Sequence, residues 1–185
     1  HRDPPQHRLY PELIVERVEA YGEVRDNLLK HAPGWPSKEY LLSRTAAGQE
    51  GYGMEDVGDG KSTPGSELVI RVLESPDPRP VYFAINAGSN TLGQALWDLR
   101  RTKSPQELAA IIAKIRVYDD AGQDDAGAWA AHTFPDIFWA RSHSQVFGLY
   151  GTHIDEESVA KGPYTWEPYA KDTFGQHAWA KEHIQ

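Results

Sequence analysis

The sequence predicts an α/β protein built on a mostly parallel sheet flanked by helices. Three observations carry that prediction. Pro80–Trp97 reads PVYFAINAGSNTLGQALW. It opens with the strand-forming run Val81–Ile85, turns at Asn86–Asn90, and continues as a helix with Leu92, Ala95, Leu96 and Leu99 on one face. Strand and helix patterns then alternate as far as Ala140, and alternation of this kind builds parallel sheets with helices on both faces. Ser104-Pro105-Gln106-Glu107 is a capping box with proline at the first helical position, which fixes where one of those helices begins. Only three strands are clear, few for a doubly wound sheet of this length, so the 185 residues read as a single partial domain.

Residues 1–9 are polar and proline-rich, a loop. From Pro11 a helical pattern runs to Lys30, with Leu13, Ile14, Val18, Tyr21, Val24 and Leu28 at three- and four-residue steps. Gly22 weakens its middle and is a point where it can split. Ser37 caps a short helix holding Tyr40, Leu41 and Leu42. Ala46–Gly65 is a long glycine-rich polar loop, and loops of that length in a compact domain are often functional. Within it, Gly60-Lys61-Ser62 lacks the frame of a phosphate loop. Ser66 is read as the cap of a helix ending at Leu73.

Asn90 or Thr91 is read as the cap of the helix that follows the Val81–Ile85 strand. After the capping box, Leu108, Ile111 and Ile112 form a buried helix face, and Lys114–Tyr118 is the second strand. Asp119–Gly127 is an acidic loop, Ala128–His132 a helix with Trp129 inward, and Ile137–Ala140 the third strand. Beyond Arg141 the pattern fades among Trp166, Tyr169, Phe174 and Trp179, with a last helix over Gln176–Ile184.

The balance of 19 basic and 27 acidic side chains gives a net charge of −8, which argues against nucleic acid or an anionic membrane as partner. Without cysteine there is neither a disulfide nor a thiolate metal site. No apolar run reaches the length of a membrane span. The opening residues carry no apolar signal core, and a secreted or periplasmic location would rest on a leader upstream of His1.

The polar clusters follow the first two strands: Asn86, Ser89, Asn90 and Thr91 after one, and Asp119, Asp120, Gln123, Asp124 and Asp125 after the other. Adjacent parallel strands would bring both to one sheet edge, where α/β folds bind ligands. Carboxylates with amide or carbonyl oxygens suit a hard cation or sugar hydroxyls. A plainer reading stands beside this one: Asp124 or Asp125 caps the next helix, and Asp119 and Asp120 are solvated. Glu55, Asp56 and Asp59 offer carboxylates for glycosyl hydrolysis, or merely a soluble loop. His31 and His132 read as helix-end residues, and no Gly-x-Ser-x-Gly or His-Glu-x-x-His pattern occurs.

Several stretches occur in a familiar order: HRDPPQHRLYPELIVERVEAYGEVRDNLLKHAPGWPSKEYL, YGMEDVGDGKSTPGSELVI, DPRPVYFAINAGSNTLGQALWDLRRTKSPQEL and AKIRVYDDAGQDDAGAWAAHTFPDIFW. Together they resemble the bacterial family of cellulose-binding proteins with a nucleoside-hydrolase-like domain, related to inosine-uridine nucleoside hydrolases. The most specific pieces are Asn90–Trp97 and Gln123–Gly127. The resemblance implies a nucleoside-hydrolase-like fold and hydrolysis of N-glycosyl bonds by the complete domain, with calcium at the strand ends holding water and ribose. It implies that the Asn90 carbonyl reaches the metal, and that Gln123, Asp124 and Asp125 occupy the place of a ribose-binding loop, with Asn86 beside them. It also places the family's aspartate cluster upstream of His1, so no cofactor and little metal-dependent hydrolysis are expected of these 185 residues alone. The alternative is a non-catalytic carbohydrate-binding domain on the same scaffold. The expected partner is a nucleoside or sugar, or a polysaccharide such as cellulose. An exposed planar row among Trp35, Tyr52, Trp166 and Tyr169 would favour binding, and buried aromatics would favour plain packing.

Overall fold

A computed structural model describes residues 8–120 and 122–142. Its elements are α1 (Pro11–His31), α2 (Lys38–Leu42), a single 3₁₀ turn (Gly53–Asp56), α3 (Pro64–Leu73), β1 (Val81–Ile85), α4 (Asn90–Thr102), α5 (Pro105–Ile112), β2 (Ile115–Asp120), α6 (Ala126–Thr133) and β3 (Phe138–Ser142). The readings for Trp166, Tyr169, Phe174, Trp179 and Gln176–Ile184 fall outside the described residues.

The three strands form one parallel sheet in the order β1-β2-β3. The β1–β2 register sets Val81 against Ile115 and Ile85 against Asp119, so the loops leaving both strands share an edge. The fold is the expected α/β class. One core lies on one face of the sheet, where Leu73, Ile85, Leu96, Leu99, Ile112 and Val117 meet. The helices α3–α6 all contribute to this cluster or pack against it. On the opposite face, Tyr82 is 79% and Phe138 62% exposed. The expectation of helices on both faces is therefore corrected for the described residues, and β1 is a half-buried strand. Parallel strands are usually buried on both sides, which makes the open face unusual.

The long helix α1 is unbroken at Gly22, and none of its residues is buried. Gly22 instead permits a close approach: a Cβ there would lie 2.7 Å from the Lys38 Cδ. The Tyr21 hydroxyl and the Arg25 guanidinium donate to the Pro36 carbonyl, which ties α1 to the segment leading into α2. Ser37 caps α2 as its sequence predicts, accepting from the Tyr40 amide.

The cap of α3 differs from the reading. Thr63 is the N-cap, Pro64 takes the first helical position, and Ser66 closes a capping box with its hydroxyl accepting from the Thr63 amide. The Ser104–Glu107 box is present as read. Gly65 is buried where the chain before α3 crosses it, and its amide donates to the Ala47 carbonyl at 2.7 Å. A Cβ on Gly65 would meet that same oxygen at 2.7 Å and Gly48 Cα at 2.8 Å. Gly65→Ala is therefore expected to lower unfolding stability by about 1–3 kcal/mol, since backbone has to move rather than a side chain. Urea denaturation measures it, and an unchanged midpoint would contradict the packing.

Candidate functional site

The site is built where β1 and β2 end. The second strand runs two residues further than its apolar pattern, so Asp119 and Asp120 are strand residues and both are buried. The reading of them as solvated loop carboxylates is corrected. Asp119 points to the core side and is fully buried. Its carboxylate accepts from Trp139 Nε1 at 3.1 Å, Arg141 Nε at 2.9 Å and the Gly122 amide at 3.1 Å. Trp139 and Arg141 lie on β3, where Arg141 stands opposite Asp119 in the register. Sequence reasoning missed this pair, because the signal needs the strand register as well as the strand pattern.

Asp124 holds the two loops together. Its Oδ2 accepts from the Ser89 amide at 2.7 Å and the Asn90 amide at 3.1 Å, and its Oδ1 from the Gly127 amide at 3.3 Å. One carboxylate thus satisfies backbone donors left free at the starts of both α4 and α6, where helices favour negative charge. The reading of Asn90 or Thr91 as the α4 cap is corrected: Ser89 holds the cap position without a side-chain bond, and the acceptor comes from Asp124. Thr91 instead accepts from the Gln49 amide at 3.3 Å. The capping reading for Asp124 agrees with its bond to Gly127. Burial pushes the Asp124 carboxyl above its ordinary value, and this outweighs the three amide bonds that favour the charged form.

The remaining site candidates surround this staple. Asn90 is buried and its side-chain amide donates to the Gly51 carbonyl at 2.7 Å. Gln123 is exposed, and its amide nitrogen donates to the Asn86 carbonyl at 2.8 Å and the Asp120 carbonyl at 3.2 Å. Asn86 is exposed at the end of β1. Asp125 accepts from the Met54 amide at 2.8 Å. The structure thus brings Asn86, Asn90, Gln123, Asp124 and Asp125 into one hydrogen-bonded neighbourhood. Two buried polar atoms there have no partner among the described residues: Ser89 Oγ and Asp120 Oδ1. A hollow of about 380 Å³ lies between α3, β1 and the start of α4, with Phe83, Ile85, Asn86, Ser89 and Thr91 among its walls.

The long loop packs over this neighbourhood. Gln94 on α4 is fully buried, and its amide accepts from the Gly58 N–H at 2.8 Å and donates to the Gly58 carbonyl at 2.9 Å. Asp56 accepts from the Gly51 amide, Asp59 from Trp97 Nε1, and Lys61 donates to the Glu55 carbonyl. Asp56 and Asp59 are thus engaged in holding the loop. The Tyr52 hydroxyl donates to the Gln123 carbonyl at 3.1 Å.

Calcium needs six or more oxygens. Among the described residues no three His, Cys, Asp or Glu side chains are grouped to hold a metal. Asp119 and Asp124 are committed to the donors named above, and Asp120 Oδ1 is the unpartnered buried carboxylate oxygen of the rim. No described helix is long and apolar enough to cross a membrane.

Residues 3–185 match the family described as "Cellulose-binding Sde182, nucleoside hydrolase-like domain". A solved structure from Saccharophagus degradans, described as a nucleoside hydrolase-related hypothetical protein associated with carbohydrate metabolism, is similar to this chain with 38% identity and a TM-score of 0.72. The likeness covers 83% of this chain and 36% of that one, so the chain spans about a third of its solved relative. No curated protein matches.

Proposed function

We propose a carbohydrate-binding role for this chain, which belongs to the cellulose-binding Sde182 family with a nucleoside hydrolase-like domain. The observation that carries the reading is how the rim divides its labour. Asp119 and Asp124 are spent on the architecture, while the polar groups left at the surface of the rim are Asn86, Gln123 and Asp125. Gln123 and Asp125 are each held by one side-chain atom and open to solvent, and their oxygens, with the exposed Asn86 amide beside them, suit sugar hydroxyls, which donate and accept at fixed spacing. In this reading Asn86, Gln123 and Asp125 contact the sugar, and Asn90 and Asp124 hold them in position. The family description and the relative's association with carbohydrate metabolism support the same ligand class.

A second reading, N-glycosyl hydrolysis by a more complete domain, is favoured by one feature. Asp120 Oδ1 is a buried acceptor at the strand end with no partner among the described residues, suited to a hydroxyl or a cation. The test runs the chain over insoluble cellulose, titrates it with cellohexaose by calorimetry, and assays nucleoside cleavage with and without calcium. Retention on glucan without turnover supports the binding role. Calcium-dependent release of base favours the second reading, and the absence of any glucan binding overturns the first.

A further inference from the structure

Tyr52 is an exposed ring held in place from several sides. It is 41% exposed, makes no ring–ring pair among the described residues, and lies outside the core cluster. Its backbone is nevertheless pinned on both flanks. Before it, the Gly51 amide donates to Asp56 and the Gly51 carbonyl accepts from Asn90. After it, Gly53 is buried with a φ of +50°, and the space a Cβ would need is taken by Asp125 Oδ1. That same oxygen accepts from the Met54 amide, and the Tyr52 hydroxyl itself donates to the Gln123 carbonyl. Four hydrogen bonds, one from the ring hydroxyl and three on the flanking backbone, therefore hold a ring that the core does not use.

Two acceptors flank it. Asp125 commits Oδ1 to Met54, and Gln123 commits its amide nitrogen to the Asn86 and Asp120 carbonyls. Asp125 Oδ2 and Gln123 Oε1 have no hydrogen bond among the described residues, and both side chains are exposed. A held, partly exposed aromatic ring, with free acceptor oxygens on the two residues next to it, matches a pyranose, which offers an apolar C–H face and a rim of hydroxyl donors.

We infer that Tyr52, with Gln123 and Asp125 at its border, is a stacking subsite for one glucose ring of a β-1,4-glucan. It lies on the loop above the strand ends. The inference rests on the carbohydrate-binding reading and adds a specific residue to it. Stacking places the sugar's apolar face on the ring and leaves its hydroxyls to the two acceptors. No covalent step is involved.

Cellohexaose calorimetry and cellulose depletion on Tyr52→Ala, Tyr52→Leu, Tyr52→Phe and Tyr82→Ala, each with a thermal melt, test it. Tyr52→Ala and Tyr52→Leu are expected to weaken binding about tenfold, and Tyr52→Phe to stay within about twofold. Tyr82→Ala, on the open sheet face, is expected to bind like the unmodified chain. Tyr52→Leu retains bulk, so it gives a folded variant without a ring should Tyr52→Ala unfold. If the unmodified chain binds glucan and both ringless variants bind equally well, or if Tyr82→Ala alone loses binding, the subsite is wrong and the carbohydrate reading stands. If the unmodified chain binds no glucan, the carbohydrate reading fails and the subsite with it.

Discussion

Asp124→Ala is expected to destabilise the chain by about 3 kcal/mol or more. Asp124 is 7% exposed, and its carboxylate accepts from three backbone amides. Removing it leaves the Ser89, Asn90 and Gly127 donors facing a void, and each buried unsatisfied donor costs about 1–3 kcal/mol. The loss of a buried charge offsets part of this. Asp124→Asn is expected to fall between the two, because its amide oxygen serves one side and its NH₂ group faces donors on the other. The pH dependence separates the terms. The folded carboxyl sits above its unfolded value of 3.8, so protonation favours the folded state. That favourable contribution is fully present below the unfolded value and is lost as pH rises through the folded one. Urea midpoints across this acidic window should show the slope in the unmodified chain and lack it in Asp124→Asn. Equal slopes would show that burial does not raise Asp124 in the folded chain.

Gln94→Leu is the second large effect, expected at about 2–6 kcal/mol because it strips two buried backbone groups of their partner at once. Gly58 gives its N–H and its carbonyl to one amide side chain, as if Gln94 were a short strand. The same amide nitrogen donates to Asp98 Oδ1 at 3.0 Å. Leucine fills the volume and satisfies none of these. Gln94→Glu is the more informative variant. At neutral pH its second oxygen would face both the Gly58 carbonyl and the Asp98 carboxylate. Protonation would restore a donor, so its stability should recover as pH falls. Hydrogen exchange should show the damage first at Gly58 and along residues 48–63. A variant as stable as the original would mean that other contacts hold this loop.

What could be read from the sequence follows from the range of each interaction. The Ser104–Glu107 box was legible because donor and acceptor sit three residues apart. The strands showed as apolar runs, and their shared edge followed from alternation alone. The caps of α3 and α4 differ from the sequence reading for different reasons. At α3 the local signal is Pro64 at the first helical position, which marks Thr63 before it as the cap, while Ser66 takes the third position of the box. The acceptor for α4 lies 34 to 35 residues downstream, out of reach of any local pattern. Asp119 and Asp120 read as loop because strand propensity disfavours aspartate. Asp119 is buried there because Trp139 and Arg141 satisfy its carboxylate from a neighbouring strand. The three- and four-residue steps of α1 do give a helix, and Leu13 and Ile14 on it are about half exposed. A periodicity identifies a helix without identifying what it packs against.

The borrowed acceptor of α4 bears on the order in which the chain folds. A helix that carries its own cap can nucleate from neighbouring residues, as α5 does with Ser104. The first amides of α4 gain their acceptor only once the polypeptide has closed a loop out to Asp124, which follows β2. Late closure places Asp124 outside the folding nucleus, so its removal should quicken unfolding far more than it slows refolding.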